Sequence, residues 1–294
     1  EKETKNMSRR QIAQEFECNF NMSGETVIHP NDIAKMEECI KEPEYRTGYD
    51  RGLWIWQQYD PSCTYLMSAD VARGDGRDFS VFHVINLNTM EIVAEYQGKM
   101  TPDHYAPFLM DIGKQYGDCM LVVENNNIGY TVIEKIKELG YSNVYHSIKS
   151  THEYVEQYVA EGRNDCVPGF TTSSKTRPMI LAKLEEFIRN NIISIYSSRL
   201  LNEIKTFVWN NNKPEAMRGY NDDLVMALAI ACWVRDTALS VNQRDIEYTK
   251  AFMSAFKKTN SVMNTSIPGM KGYKAVQKTE QIKKRQEFAW LFKG

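Results

Sequence analysis

The chain has 294 residues, of which 42% are hydrophobic and 25% are charged. These proportions are typical of a globular protein, and no apolar run approaches the roughly 20 residues that cross a bilayer. The start of this sequence, Glu1 to Lys5, is charged and lacks the apolar core of a signal peptide. Because the chain begins without methionine, we expect it to be an excised fragment of a longer protein. We expect no membrane partner for this chain.

The six cysteines are scattered along the chain. They form neither a C-x-x-C pair nor a Cys/His cluster at zinc spacing, which excludes the common structural zinc sites. The pattern favours a reducing cytoplasm over a disulfide scaffold.

The net charge of −2 conceals an asymmetry. Residues 250–294 hold ten basic and two acidic side chains, which is +8, so the preceding residues carry −10. A basic tail on an acidic body suits contact with a nucleic acid or an acidic partner protein. A solvated tail without a partner explains the pattern equally well.

The first 60 residues predict a connector that leads into the main body. Residues 8–16 have a helical pattern, and residues 49–59 carry Trp54 and Trp56 at the alternation of a strand. Three strands with short turns follow and predict a meander, at residues 64–69, 79–87 and 91–96.

Helices and strands then alternate along the chain. The predicted elements are a helix at 101–116, strands at 119–123 and near Val144, helices at 129–139 and 174–190, a strand at 192–196, a helix at 198–209 and a long apolar helix at 222–239. Three antiparallel strands followed by such alternation predict an α/β fold with an RNase H-like mixed sheet flanked by helices.

Carboxylates stand at the ends of these predicted elements. Asp70 ends the first body strand, Glu124 ends the fourth, and Asp222 and Asp223 open the last long helix. Functional groups collect at the carboxyl ends of strands in open α/β sheets, so we expect these side chains to converge.

Clustered carboxylates repel one another unless a positive charge lies between them. Oxygen ligands without His or Cys select Mg²⁺ or Mn²⁺. Two such ions about 4 Å apart can activate water and stabilise the leaving oxygen in phosphodiester hydrolysis. We find no Ser-His-Asp or Cys-His pattern for covalent catalysis and no G-x-x-x-x-G-K-[ST] nucleotide motif.

Asp78 follows Asp70 across a turn that contains Gly74 and Gly76. A tight hairpin would return Asp78 beside Asp70, where it could bind a metal or orient water, while the glycines would let backbone amides approach a phosphate. Each acid also has an ordinary structural explanation, as a turn former, a solvated side chain or a helix cap. Only the placement of all these acids at one edge of the sheet favours a functional site.

Several segments resemble the nuclease half of the large terminase subunit of tailed bacteriophages. Residues 68–80 resemble its first nuclease motif, Leu121–Asn126 the second and Asn221–Ala229 the third. Residues 14–20 resemble the segment that joins its ATPase domain to its nuclease, and residues 169–178 are also similar. The resemblance covers about residues 10–240.

This resemblance implies an RNase H-like endonuclease that depends on Mg²⁺ or Mn²⁺ and cuts double-stranded concatemeric DNA during genome packaging. It implies that Asp70, Glu124 and Asp223 are catalytic metal ligands, with Asp78 and Asp222 as further candidate ligands. Arg73 stands where some members have an acid. The implied segments are a connector at 1–60, a nuclease domain at 61–240 and a basic tail at 241–294.

The resemblance also implies partners: an N-terminal ATPase domain in the full-length protein, the portal protein and the small terminase subunit. The expected location is the host cytoplasm, at the procapsid. Basic side chains near the acids are candidates for weakly sequence-specific, salt-sensitive DNA binding, namely Arg73, Arg77, Lys175 and Arg177.

Two other functions remain open from the sequence. A resolvase-like or transposase-like nuclease would share the acids but act on branched DNA or join strands. A non-catalytic RNase H-like module could instead link a packaging motor to the portal, with its acids serving only as caps and turns.

Overall fold

The computed structural model describes residues 26–76, 78–126, 128–148, 166–211 and 213–237. The predicted helix at 8–16, the side chain of Arg77 and the predicted basic tail at 241–294 therefore lie outside the described residues. No helix in the described ranges is both long enough and apolar enough to cross a bilayer.

A six-stranded mixed sheet forms the centre of the fold. Its order is β1 (Tyr45–Thr47), β2 (Leu53–Ile55), β5 (Glu91–Gly98), β4 (Ser80–Asn86), β3 (Tyr65–Asp70) and β6 (Met120–Val123). Strands β3 and β6 are parallel, whereas the other neighbours are antiparallel. The predicted meander is β3, β4 and β5. Strands β1 and β2 extend the sheet from within the segment predicted as a connector.

Helices cover both faces of this sheet. In chain order they are α1 (Pro30–Cys39), α2 (Pro102–Gln115), α3 (Ile128–Glu138), α4 (Thr176–Arg189), α5 (Ser198–Thr206) and α6, which spans residues 223–237. Two further hairpin-like pairs lie outside the sheet, namely β7 (His146–Ile148) with β8 (Cys166–Pro168), and β9 (Phe207–Asn210) with β10 (Lys213–Ala216).

The alternation of side chains along the strands separates the core into two layers. On β3, Met67 and Ala69 pack with α2 and α3 on one face. Leu66 packs on the opposite face, together with α4, α5 and α6. Residues 224–232 of α6 are all buried, as expected for a helix that is apolar on every side. These layers hold the strand ends rigidly in place.

Two predicted elements were wrong in type or length. Residues 192–196 form no strand, and only Ser194 makes an isolated bridge, to Glu91. The helix expected at 198–209 ends at Thr206, and its apolar continuation is strand β9 of a hairpin. Both patterns were short apolar runs, in which periodicity alone does not separate a strand from a helix or loop.

Gly129 allows helix α3 to begin directly against the end of β6. A Cβ atom at this position would lie 1.7 Å from the carbonyl oxygen of Glu124. We expect Gly129→Ala to lower the free energy of unfolding by about 2–3 kcal/mol, because the helix must move away from β6. Urea unfolding measures the change.

Gly76→Ala is the matched control, because a Cβ atom at Gly76 meets no atom within 4 Å. Equal stability of the two variants would show that the helix start does not constrain Glu124.

Candidate metal site at the sheet edge

Asp70 and Glu124 lie at the adjacent carboxyl ends of two parallel strands. Ala69 is in register with Val123, and the Glu124 amide donates a hydrogen bond of 2.9 Å to the Ala69 carbonyl. Asp70 ends β3 and Glu124 directly follows β6, so the pairing of the strands places the two acids side by side at this edge.

Asp223 reaches the same edge from the first residue of α6. Its Oδ2 atom accepts hydrogen bonds from the Phe79 amide at 2.8 Å and from Asn221 Nδ2 at 3.0 Å. Phe79 immediately precedes β4, whose residue Val81 is paired with Asp70. The helix start is therefore attached to the strand that neighbours Asp70.

The acids destabilise one another's ionised forms. Burial, followed by the nearby Glu124 and then Asp223, raises the pKa of Asp70 well above its ordinary range. Burial also raises the pKa of Asp223, with further contributions from Asp78 and Asp222, although hydrogen bonds from Phe79 and Asn221 oppose the rise. Negative charge has been concentrated where solvent screening is weak, which is the situation that a divalent cation relieves.

The donor set fits a hard divalent cation. All three acids at the edge offer carboxylate oxygen, the ligand type that Mg²⁺ and Mn²⁺ prefer. Among the described residues, however, no three His, Cys, Asp or Glu side chains are arranged closely enough to hold one ion together. An ion held by all three acids would therefore need the Asp223 carboxyl to lie closer to Asp70 and Glu124 than it does here.

The turn between β3 and β4 carries Asp78 and Arg73, both of which are exposed. Gly74 has a φ of +86°, and a Cβ atom there would lie 2.8 Å from the Met100 carbonyl oxygen. Glycine is thus needed for the close approach of this turn to the start of α2. Asp78 is near enough to Asp223 to influence its pKa, but no contact joins it to Asp70.

Arg177 pairs with Asp222. Its Nη2 atom donates a hydrogen bond of 2.5 Å to Asp222 Oδ2 and one of 3.4 Å to the Pro214 carbonyl oxygen. Asp222 therefore has a cationic partner already, which distinguishes it from Asp223. Lys175, also predicted to bind DNA, is exposed one residue before α4.

Asparagines that follow Glu124 hold its surroundings together. Asn126 Nδ2 donates to Glu124 Oε1 at 3.1 Å and to the Thr172 carbonyl at 2.8 Å. The Asn125 side chain donates to the Pro168 carbonyl at 3.0 Å and accepts from Thr171 Oγ1 at 2.9 Å. The loop at residues 168–172 is thereby attached to the carboxyl end of β6. The sequence showed only a polar run here, without its distant partners.

The raised pKa of Asp70 predicts a pH-dependent effect on stability in chelator. In the unfolded chain the carboxyl has its ordinary pKa of 3.8. The stability that the neutral carboxyl gives the folded chain is therefore fully present below pH 3.8, and it is lost as the pH rises through the raised pKa. We expect metal-free Asp70→Asn to be more stable than the wild type at pH 8, by an amount that shrinks toward pH 4. Denaturant unfolding at both pH values measures this difference.

Asp111→Asn is a suitable control because Asp111 is an exposed acid on α2. A stability gain in Asp70→Asn that is the same at pH 4 and pH 8 would contradict the assigned charge repulsion.

Comparisons with known proteins agree with this architecture. No protein-family profile matches the chain. The large terminase subunit of Thermus virus P23-45 is 23% identical over 233 residues, which cover 76% of this chain. The chain spans about 42% of the length of that relative.

Two crystal structures of the large terminase nuclease from thermophilic phage G20c are also similar, one with bound magnesium and one with bound cobalt. Each has a TM-score of 0.53 and 20% sequence identity, and covers 71% of this chain and 96% of the phage chain. The predicted α/β fold is confirmed: this chain has the RNase H-like fold of a large-terminase nuclease domain.

Proposed function

We propose that this chain is a divalent-metal-dependent endonuclease domain that cuts double-stranded concatemeric DNA during viral genome packaging. The observation that carries the proposal is the placement of Asp70 and Glu124 at adjacent ends of two parallel strands, with Asp223 attached to the same sheet edge. The fold shared with a magnesium-bound terminase nuclease supports the same conclusion.

Within this proposal, Asp70, Glu124 and Asp223 hold the metal, which is Mg²⁺ or Mn²⁺. When bound, divalent ions would supply Lewis-acid chemistry for phosphodiester hydrolysis by the two-metal route. The protein's own task is to hold the carboxyl groups in place on rigid strands and a buried helix. Asp78, exposed on the adjacent turn, is assigned the role of orienting a water molecule.

The basic side chains at this edge are assigned to the phosphate backbone of DNA. Arg73 and Lys175 are exposed, and Arg177 is kept near the acids by Asp222. Arg77 belongs to the same proposal by its position in the turn. Contacts of this kind position DNA without reading its bases, so binding should be salt-sensitive and weakly sequence-specific.

In the packaging assembly, we propose that the chain works with an ATPase domain of the full-length protein, the portal protein and the small terminase subunit, in the host cytoplasm at the procapsid. The similarity to a whole large terminase subunit of a virus supports this placement. The segments at 1–60, 61–240 and 241–294 then serve as connector, nuclease and basic tail.

The first test is cleavage of supercoiled and linear plasmid with Mg²⁺, Mn²⁺ or chelator. We expect metal-dependent cutting by the wild type and by Asp111→Asn, and a loss of at least about 100-fold in Asp70→Asn, because a ligand to the metal is removed. Gel analysis of initial rates measures the loss.

If the protein cuts branched junctions but not linear duplex, its function is that of a resolvase-like enzyme and not of a packaging nuclease. If no DNA substrate is cut, the function that remains is that of a non-catalytic docking module.

A second test separates the two neighbouring aspartates. Asp222 is paired with Arg177, so Asp222→Asn should mainly weaken DNA binding, with a rise of about tenfold or less in KM. Asp223→Asn should lower kcat by at least about 100-fold, because it removes a proposed metal ligand. Steady-state kinetics on linear duplex distinguish the effects, and the reverse pattern would assign the metal to Asp222.

A further inference from the structure

The first turn of α6 is capped by a side chain from another helix. The backbone amides of Leu224 and Val225 both donate to Glu203 Oε2, at 2.8 and 3.3 Å. Amides in the first turn of a helix have no partner within the helix and need one elsewhere when they are buried. Glu203 lies on α5 and supplies that partner from 21 and 22 residues away in sequence.

Glu203 is itself attached to the sheet. Its Oε1 atom accepts a hydrogen bond of 3.0 Å from Gln97 Nε2 on β5. Gln97 is in register with Val81, and Val81 is in register with Asp70. One row of paired residues therefore crosses the sheet from Asp70 to Gln97. Gln97 binds Glu203, and Glu203 binds the amide of Leu224, the residue that follows Asp223.

A second side chain, His83, binds a carbonyl oxygen in the same helical turn. Its Nε2 atom lies 2.9 Å from the Leu224 carbonyl oxygen, to which it donates as the Nε2-protonated tautomer. The other ring nitrogen lies 3.6 Å from the Glu95 carboxyl. Glu95 is fully buried and accepts from Ser197 Oγ at 2.6 Å and Arg199 Nε at 3.0 Å.

We propose that Glu203 is a positioning residue for the metal site, because it fixes the first turn of α6 and thereby the place of Asp223 relative to Asp70 and Glu124. This inference rests on the proposed metal-dependent nuclease. The hydrogen bonds of Glu203 go to Gln97 and to the amides of Leu224 and Val225, so it positions Asp223 through the backbone of residues 223–225.

The chemistry of the Glu203 site indicates which substitution preserves the cap. Burial, with a further contribution from Asp223, raises the pKa of Glu203 to about 9, against the opposing hydrogen bonds from the two amides. Glutamine has the same shape and keeps an oxygen acceptor, whereas alanine leaves both amides unsatisfied in a buried place.

The experiment compares the wild type with Glu203→Gln, Glu203→Ala and Glu203→Asp. Asn202→Ala is the matched control, because Asn202 is an exposed neighbour on the same helix. Three quantities are measured: amide hydrogen exchange of Leu224 and Val225 without metal, Mn²⁺ affinity by calorimetry without DNA, and DNA affinity in chelator.

We expect Glu203→Ala to accelerate exchange at the two amides about tenfold, as for loss of a helix cap. Mn²⁺ affinity should fall about tenfold, as for loss of a residue that orients a metal ligand. DNA affinity in chelator should stay unchanged. The glutamine variant should remain within about threefold of the wild type in all three quantities.

Unchanged exchange and Mn²⁺ affinity in Glu203→Ala would overturn the positioning role. If the alanine variant fails to fold, the aspartate variant, whose carboxyl is one methylene short of the amides, decides by the same criteria. If the wild type binds Mn²⁺ and cuts DNA, and Glu203→Ala and Glu203→Asp both match it, only this inference is overturned. A wild type that does neither overturns the proposed function, and the positioning role with it.

Discussion

The repulsion between the carboxyl groups of Asp70, Glu124 and Asp223 is the constraint on which this structure depends. Burial and the neighbouring acids raise the pKa of Asp70 well above its ordinary range. Such an arrangement lowers the stability of the folded chain unless a cation or protons compensate it. The three acids therefore lower the stability of the folded chain at this edge, which is common where a fold carries a reactive site. The remaining elements hold the groups together against this repulsion.

Rigid structure holds each acid by a different route. Parallel pairing of β3 with β6 fixes Asp70 against Glu124, and the asparagines after β6 tie the loop at 168–172 to the same place. Asp223 depends on the start of α6, which combines an apolar buried body with a capped first turn. Groups built on strands and helices are held more precisely than groups on mobile loops. The turn with Arg73 and Asp78 is the exposed part of this edge.

Much of this organisation could be predicted from local sequence, because long apolar runs reveal buried strands and helices. Asp70 and Glu124 each follow such a run, so their position at strand ends was predictable. The hairpin of β9 and β10 was not, since Phe207–Trp209 continues the apolar pattern of the preceding helix. The pairing of Arg177 with Asp222 and the cap from Glu203 join residues distant in sequence, and no periodicity encodes such contacts.

The most direct test of the account is a crystal of the wild-type protein soaked in Mn²⁺, with anomalous diffraction to locate the ion. The account predicts a peak at the sheet edge, about 2.0–2.3 Å from carboxylate oxygens of Asp70, Glu124 and Asp223. Asp223 should have moved toward the other two acids. A peak bound elsewhere, or no peak beside Asp70 and Glu124 at saturating Mn²⁺, would contradict the claim that these acids form a metal centre.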